Sequence, residues 1–225
     1  MTELDEILAE LRSHGNPENV AGMARYGINT QGTLGVSMPI VRQLARKAGK
    51  SHELAGQLWQ SGIHEARILA TLVDIVAEVT PAQMDRWAAD FDSWDVCDQA
   101  CANLFRYTPV AFTKAAQWAR KKPEFVRRAG FSLMAGLAVK AKKASDEQFQ
   151  SFLPLIAESA SDDRNMVKKA VNWALRQIGK RNQSLHRMAI ETAEKIAEQT
   201  SRPARWIASD ALRELRNPAI IARIK

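Results

Sequence analysis

Apolar side chains recur along the chain mainly at spacings of three and four residues, which is the period of one face of an α-helix. The first such stripe follows Thr2, a good helix N-cap, and consists of Leu4, Ile7, Leu8 and Leu11. No segment alternates at the two-residue period of a strand. We therefore predict an all-α protein. The expected helices lie at about 3–14, from 17 to a glycine-rich turn at 27–35, and at 40–48, 51–61, 63–78, 81–92, 93–106, 109–121, 123–141, 146–159, 163–180, 183–199, 203–215 and 218–224.

Similar segments recur about forty residues apart. Residues 126–135, Val-Arg-Arg-Ala-Gly-Phe-Ser-Leu-Met-Ala, resemble residues 167–176, Val-Lys-Lys-Ala-Val-Asn-Trp-Ala-Leu-Arg, 41 positions later. Weaker echoes occur at 65–70 and 203–209. A period near forty with two helices in each repeat is typical of HEAT-like repeats. We therefore predict an α-solenoid with a concave basic groove, forming a single domain over 1–225, because no linker rich in Pro, Gly or Ser interrupts the chain.

The net charge of the chain is +7 and is divided unevenly. Residues 1–112 carry 9 Lys and Arg against 14 Asp and Glu, whereas residues 113–225 carry 23 against 11. The net charge is therefore −5 for the first segment and +12 for the second. This difference predicts an anionic partner that lies mainly on the C-terminal half, and nucleic acid fits this best. A basic surface without such a partner is the alternative that charge alone leaves open.

The remaining composition limits the chemistry. Cys97 and Cys101 lie one helical turn apart on an apolar face, so we expect two small buried residues and no disulfide. The histidines lack metal-ligand spacing, and no phosphate loop or nucleophile motif occurs, so neither a metal nor a cofactor is expected. The acidic N-terminus does not resemble a signal peptide, and the longest uncharged apolar stretch, 129–139, is too short to span a bilayer. We expect a cytoplasmic protein that has no membrane partner.

The segment 93–105 holds a carboxylate in an unusual setting. Read at helical period, its apolar stripe contains Cys97, Ala100, Cys101, Leu104 and Phe105. Asp98 falls at the edge of this stripe, and Trp94 lies one turn before it on the same face. The pattern predicts a half-shielded carboxylate beside an indole. Such a group either serves chemistry or is a boundary acid that pairs with a neighbouring arginine.

The helix predicted at 163–180 places a tryptophan among cations. Trp173 falls opposite the apolar stripe of this helix, at spacings of four, three and seven residues from Lys169, Arg176 and Lys180. An indole on a basic face suits a polyanion that also offers sugars or bases for packing. The alternative is that a neighbouring helix covers the indole.

Three weaker patterns accompany this one. Trp118, with lysines at 114, 121 and 122, repeats the combination of indole and cations. Trp206 and Asp210 repeat the tryptophan–aspartate spacing described above, which shows that this spacing also arises by chance. Arg127 and Arg128 are either a clamp for a DNA phosphate or an ordinary surface pair.

Six segments, taken in order, carry a more specific signal. They are Asn16-Pro-Glu, Met23-Ala-Arg-Tyr26, Leu34-Gly-Val-Ser-Met-Pro39 with Arg42, Ser93-Trp-Asp-Val-Cys-Asp98, Arg127-Arg-Ala129 and Ala170-Val-Asn-Trp-Ala-Leu-Arg176. Over most of its length the chain resembles the AlkD-like DNA glycosylases, which are alkylation-repair enzymes built from HEAT-like repeats. One departure is that some members place a lysine soon after the arginine of the fifth segment, whereas here the next lysine is Lys140.

The resemblance implies roles for individual residues. The residues that match the surroundings of the lesion, and so form the expected catalytic set, are Asp98, Trp94 and Trp173. The DNA contacts expected from the family pattern or from the charge pattern are Arg128, Arg176, Tyr26, Lys169, Lys180 and Arg127. The implied partner is double-stranded DNA that contains alkylated bases, and we expect a monomer that associates with the nucleoid when bound.

The family's chemistry needs only one carboxylate. Alkylation at N3 or N7 makes a purine cationic, so the base leaves as a neutral molecule without a general acid. Asp98 is expected to stabilise the oxocarbenium-like sugar and to position water. The resemblance implies a monofunctional glycosylase that releases 3-methyladenine and 7-methylguanine from duplex DNA, without a base-flipping pocket and without a lyase step.

Two other functions stay open at the level of sequence. A HEAT-repeat protein can bind distorted or branched DNA without any catalysis, using the same basic surface. It can also serve as a protein-interaction scaffold, which is a common use of helical repeats.

Overall fold

The computed structural model describes residues 2–224, and every element of regular secondary structure in this range is a helix. The first of two compact units, Met1–Thr108, contains α1 (Glu3–Ser13), α2 (Pro17–Ala24), α3 (Met38–Ala48), α4 (His52–Gln60), α5 (His64–Val73), α6 (Pro81–Ala89) and α7 (Trp94–Asn103), with 3-10 turns at Val76–Glu78 and Phe105–Tyr107. The second unit, Pro109–Lys225, contains α8 (Ala111–Ala119), α9 (Glu124–Lys140), α10 (Asp146–Gln150), α11 (Leu153–Glu158), α12 (Asn165–Gly179), α13 (Gln183–Ala197), α14 (Arg202–Leu215) and α15 (Pro218–Ile221). The all-α prediction is confirmed.

Two of the predicted helices are interrupted. The prediction of a helix over 63–78 is wrong beyond α5, because Asp74 is extended at φ −62° and ψ 153°. Its carboxylate accepts a hydrogen bond from the backbone N–H of Ile75 at 2.7 Å, which competes with helical bonding. The helix predicted at 146–159 is divided into α10 and α11, and Pro154 lies in the first turn of α11. Proline has no N–H to continue a preceding helix, so a new helix begins there.

The core of the first unit is built around α5. Most of its side chains are buried, and it packs against α3, α4 and α7. Beside this helix, Trp59 of α4 and Trp87 of α6 stack with ring centroids 4.0 Å apart and planes 3° from parallel. The packing of α5 on α7 holds the segment that carries Trp94 and Asp98 against the best-buried helix of the unit.

The second unit repeats one arrangement of helices. Helices α9, α12 and α14 lie side by side, α8 packs on α9, and α13 packs on α12 and α14. The side-by-side helices begin at residues 124, 165 and 202, close to the predicted forty-residue period. Gly130 lets α8 and α9 approach closely, since a Cβ atom there would lie 2.4 Å from the backbone nitrogen of Ala119.

The division of charge follows the two units. Residues 109–112 carry no charge, so Met1–Thr108 has the balance of −5 and Pro109–Lys225 the balance of +12. The single domain over 1–225 and the concave basic groove stay predictions.

Within residues 2–224, two kinds of feature are absent. No helix there combines the length and the apolar character needed to cross a bilayer. No group of three or more His, Cys, Asp or Glu side chains in the same range is arranged to hold a metal ion.

Candidate functional site

The N-terminal half of α7 carries the carboxylate and the indole that the sequence singles out. Val96, Cys97 and Ala100 are fully buried, so this face of α7 forms part of the core. Asp98 and Trp94 are half-buried one turn apart, as the helical period predicts. The geometry therefore gives a carboxylate that is shielded on one side and accompanied by an indole.

The Trp94 indole is fixed by a contact with another candidate residue. Its Nε1–H donates a hydrogen bond to the backbone carbonyl oxygen of Tyr26 at 3.1 Å. The Tyr26 side chain is 72% exposed, so its ring lies at the surface and is available to a partner. The structure thus brings together three of the predicted site residues, Tyr26, Trp94 and Asp98, in the first unit.

The loop that follows Tyr26 is attached to the start of α7. The backbone N–H of Asn29 donates to Ser93 Oγ at 2.7 Å, and Asn29 Nδ2 donates to Asp92 Oδ2 at 2.9 Å. Ser93, the N-cap of α7, is fully buried. These bonds explain why the segment carrying Tyr26 keeps a fixed position relative to Trp94.

Glu65 is a functional candidate that its sequence context does not single out. Its buried carboxylate accepts hydrogen bonds from three consecutive backbone N–H groups, those of Leu34 at 2.9 Å, Gly35 at 2.6 Å and Val36 at 3.1 Å. Gly35 has φ +77°, a conformation that favours glycine. The sequence contains one signal for Glu65, because it places this carboxylate on the apolar face of α5, four residues before Leu69.

His64 and Asp95 form a second internal pair beside this site. His64 Nε2 and Asp95 Oδ2 are 2.8 Å apart, and the histidine side chain is 3% exposed. Burial lowers the pKa of His64, but the hydrogen bond and charge of Asp95 outweigh it, together with the charges of Glu65 and Asp92. The net effect raises the pKa of His64 above its ordinary value. Asp95 adjoins Trp94 in the first turn of α7, so this pair fixes the turn that carries the indole.

In the second unit, Trp173 and the cations near it lie on α12. Trp173, Arg176 and Lys180 are half-buried, and Lys169 is exposed. Lys180 Nζ donates to Glu214 Oε1 at 2.6 Å, and Arg176 bonds the other oxygen of the same carboxylate. These two cations are partly neutralised, whereas Lys169 presents its full charge to solvent.

Lys180 and Arg176 change the pKa of Glu214. Its burial raises the pKa of the carboxyl group, but the hydrogen bonds and charges of Lys180 and Arg176 outweigh burial and hold that pKa below its ordinary value. The carboxylate therefore stays charged, and any phosphate that contacts Arg176 or Lys180 competes with it.

The two neighbouring arginines of α9 face the protein interior. Arg127 donates to the carbonyl oxygen of Ala119 at 3.0 Å, to Asp162 at 3.0 Å and to Ser159 Oγ at 3.2 Å. Arg128 is 6% exposed and donates to the carbonyl oxygen of Met166 at 2.6 Å. The DNA contacts expected of both arginines stay predictions, and Arg127 already uses each of its guanidinium nitrogens within the unit.

The prediction that Trp118 and the lysines near it repeat the surface combination of indole and cations is wrong. Trp118 is 2% exposed, and even Lys114 is buried. Both side chains therefore lie inside the protein and do not form a surface for a partner.

Comparison with known proteins identifies the family of the chain and supports its fold. A family model described as "DNA alkylation repair enzyme" matches residues 7–215. An uncharacterized protein of Listeria innocua, Lin0241, is 21% identical over 202 residues, which cover 88% of each chain. A solved structure described as "a new family of proteins related to the HEAT-like repeat DNA glycosylases with affinity for branched DNA structures" aligns with a TM-score of 0.78 and 18% identity, covering 95% of both chains. This likeness shows the fold, so the prediction of HEAT-like helical repeats is confirmed.

Proposed function

Because the chain belongs to the family of DNA alkylation repair enzymes, as its AlkD-like motifs predict, we propose that it is a monofunctional DNA glycosylase. Its proposed substrates are cationic purines alkylated at N3 or N7 in duplex DNA, released as 3-methyladenine and 7-methylguanine. The observation that carries the proposal is the half-buried Asp98, which lies one turn after an indole fixed by its hydrogen bond to Tyr26.

The proposed reaction breaks the bond between the damaged base and deoxyribose. The bonding electrons pass to the base, which becomes neutral, and positive charge develops on the sugar. Asp98 stabilises that charge and orients a water molecule, whose oxygen bonds to the anomeric carbon while its proton passes to solvent. A preorganised charge of this kind stabilises a transition state by about 3 kcal/mol, or about a hundredfold in rate.

The aromatic residues have a supporting role in this proposal. The Trp94 ring offers its face to the developing cation, an interaction worth about 0.5–2 kcal/mol. The family resemblance assigns the same role to Trp173. Trp94 is the better supported of the two, because its ring is held by a defined hydrogen bond.

The proposal is tested by incubating the protein with methylated duplex DNA and measuring free 7-methylguanine by chromatography. We expect release by the wild type and release reduced about a hundredfold or more by Asp98→Asn, with duplex affinity nearly unchanged. Asp5→Asn, a change of the same chemistry in the exposed first turn of α1, is the matched control. Release at the wild-type rate by Asp98→Asn would contradict the catalytic role.

A second candidate function is recognition of branched DNA without catalysis. It is favoured by the relative with a TM-score of 0.78, whose family is described as having affinity for branched DNA structures. In this case no free base is released by either the wild type or Asp98→Asn, and a four-way junction binds more tightly than a linear duplex. The base-release assay and a binding titration with both DNAs therefore separate the two functions.

A further inference from the structure

The N-terminal ends of α12 and α14 carry an exposed indole that the proposed glycosylase does not use. Trp206 is 40% exposed, and Lys168 Nζ lies 4.9 Å from its ring centroid. Lys169, Arg202 and Arg205 are exposed near the same ends. The side chains of these three cations have no hydrogen bond or ion pair with any residue in the range 2–224.

Contacts between α12 and α14 form a ladder with three rungs. Each rung joins residues 38 positions apart, and successive rungs are four residues apart on both helices. The two helices therefore run parallel, with their N-termini at the same end. The rungs are Lys168–Trp206, Asn172–Asp210 and Arg176–Glu214.

The first rung differs from the other two in its chemistry. Asp210 and Glu214 place carboxylates in the second and third rungs, whereas Trp206 stands at the corresponding position of the first. Lys168 of α12 therefore contacts an aromatic ring on α14, whereas Asn172 and Arg176 contact carboxylates.

The charge around the first rung is strongly positive. The segments 162–169 and 202–206 together contain five cations and two carboxylates, Asp162 and Asp163, of which Asp162 pairs with Arg164. The N-termini of two parallel helices, of 15 and 14 residues, add their own partial positive charge at the same end. An anionic group is favoured there, beside an indole that offers a surface for packing.

We propose that Trp206, Lys168, Lys169 and Arg205 form a binding site for an unpaired nucleotide of DNA. The base stacks on Trp206, and the neighbouring phosphates lie against the cations and the helix N-termini. Inside a duplex the faces of the bases are covered by their neighbours, so an exposed indole gains most from a base that has left the stack. The inference rests on the proposed function in one respect, because it takes DNA as the partner.

The test compares two unmethylated DNAs that differ only in a short single-stranded overhang containing 2-aminopurine. We expect the wild type to bind the overhang DNA about fivefold more tightly than the blunt duplex and to quench the 2-aminopurine fluorescence by stacking. Trp206→Leu should lose the preference and the quenching, whereas Trp206→Phe should retain both. Arg205→Gln should weaken binding of the overhang DNA, and Arg187→Gln on α13 is the matched control for charge.

The possible results separate this site from the proposed function. Equal affinity of the wild type for both DNAs, or a preference that Trp206→Leu leaves unchanged, overturns the site. Base release from methylated duplex without any overhang preference overturns the site alone and leaves the glycosylase in place. If the wild type binds neither DNA and releases no base from methylated duplex, both proposals fail. Circular dichroism of Trp206→Leu and Trp206→Phe confirms that each variant is folded.

Discussion

At the scale of single residues, Glu65 determines where the loop beside the candidate site lies. One carboxylate accepts the N–H groups of three successive loop residues in a buried setting. The same loop is bonded to the start of α7 through Asn29 and Ser93. Trp94 bonds the carbonyl oxygen of Tyr26 just before this loop, so Glu65 supports the site by holding the loop that follows Tyr26.

Glu65→Gln tests this support. The amide keeps the size of the side chain but loses the charge and one acceptor, which leaves buried N–H groups without a partner. We expect the free energy of unfolding to fall by about 2–3 kcal/mol in urea titrations. Glu53→Gln in the exposed first turn of α4 should change it by less than about 0.5 kcal/mol. Equal effects of the two substitutions would contradict the role of Glu65.

The tryptophans show what a sequence can and cannot predict about single residues. The edge position of Asp98 follows from helical period alone, because one helix determines it. Trp118 and Trp173 have similar cationic neighbours in the sequence, yet Trp118 is buried and Trp173 is half-buried. Their exposure depends on which other helix packs over them, and no local pattern contains that information.

At the scale of helices, α5 and α7 are coupled by a buried histidine, His64, and a half-buried aspartate, Asp95. The raised pKa of His64 means that the folded protein binds the histidine proton more tightly than the unfolded chain does. The resulting stability is fully present below the ordinary pKa of histidine, about 6.5, and is lost as the pH rises through the raised value. The first turn of α7 is therefore held most firmly under mildly acidic conditions.

Asp95→Asn should remove this pH dependence. We expect the difference in unfolding free energy between the wild type and Asp95→Asn to be largest near about pH 5.5 and to shrink by about 1–2 kcal/mol towards about pH 9. Thermal denaturation across this range measures it. His14→Gln, which alters an exposed histidine, should leave the wild-type profile unchanged. A difference that is constant with pH would show that the pair does not titrate as described.

The close approach of α8 and α9 depends on the missing side chain of Gly130. Alanine favours a helix by about 1 kcal/mol over glycine, but a Cβ atom at this position meets the backbone of Ala119 at 2.4 Å. We expect Gly130→Ala to lower the free energy of unfolding by about 1–3 kcal/mol. Gly56 in α4 has no atom within 4 Å of such a Cβ, so Gly56→Ala should raise that free energy by about 0.5–1 kcal/mol. Chemical denaturation of both variants checks the contrast.

The sequence predicts helices better than it predicts their ends. Apolar periodicity indicated each helical region, because a three- and four-residue stripe reports burial along a whole element. The break after α5 was not predicted, since it depends on the Asp74 carboxylate, which also bonds His52 and Gln83. Both partners lie in other helices, so the break is a tertiary effect.

At the scale of the whole molecule, charge is divided between an acidic first unit and a basic second unit. The second unit has an excess of 12 positive charges. Several of its cations are already paired internally, Arg176 and Lys180 with Glu214 among them. Exposed cations such as Lys169 are therefore expected to supply most of the attraction to phosphates.

Salt dependence of duplex binding tests this expectation. The logarithm of the association constant should fall linearly with the logarithm of the salt concentration, with a slope of about −0.9 for each phosphate contacted. We expect Lys169→Gln to reduce the magnitude of the slope by about 0.9. Lys195→Gln, the same change at an exposed lysine of α13, should leave the slope unchanged. A slope of zero for the wild type would exclude phosphate contacts as the basis of binding.

The catalytic role of Asp98 is tested by the single-turnover rate of base release from methylated duplex, with the protein in excess and the DNA fully bound. Under these conditions binding no longer contributes, so the rate reports the chemical step at Asp98. The proposed mechanism predicts that Asp98→Asn binds the duplex as the wild type does and releases 7-methylguanine at least about a hundredfold more slowly. Equal rates for the two proteins, or no release by the wild type, would contradict it.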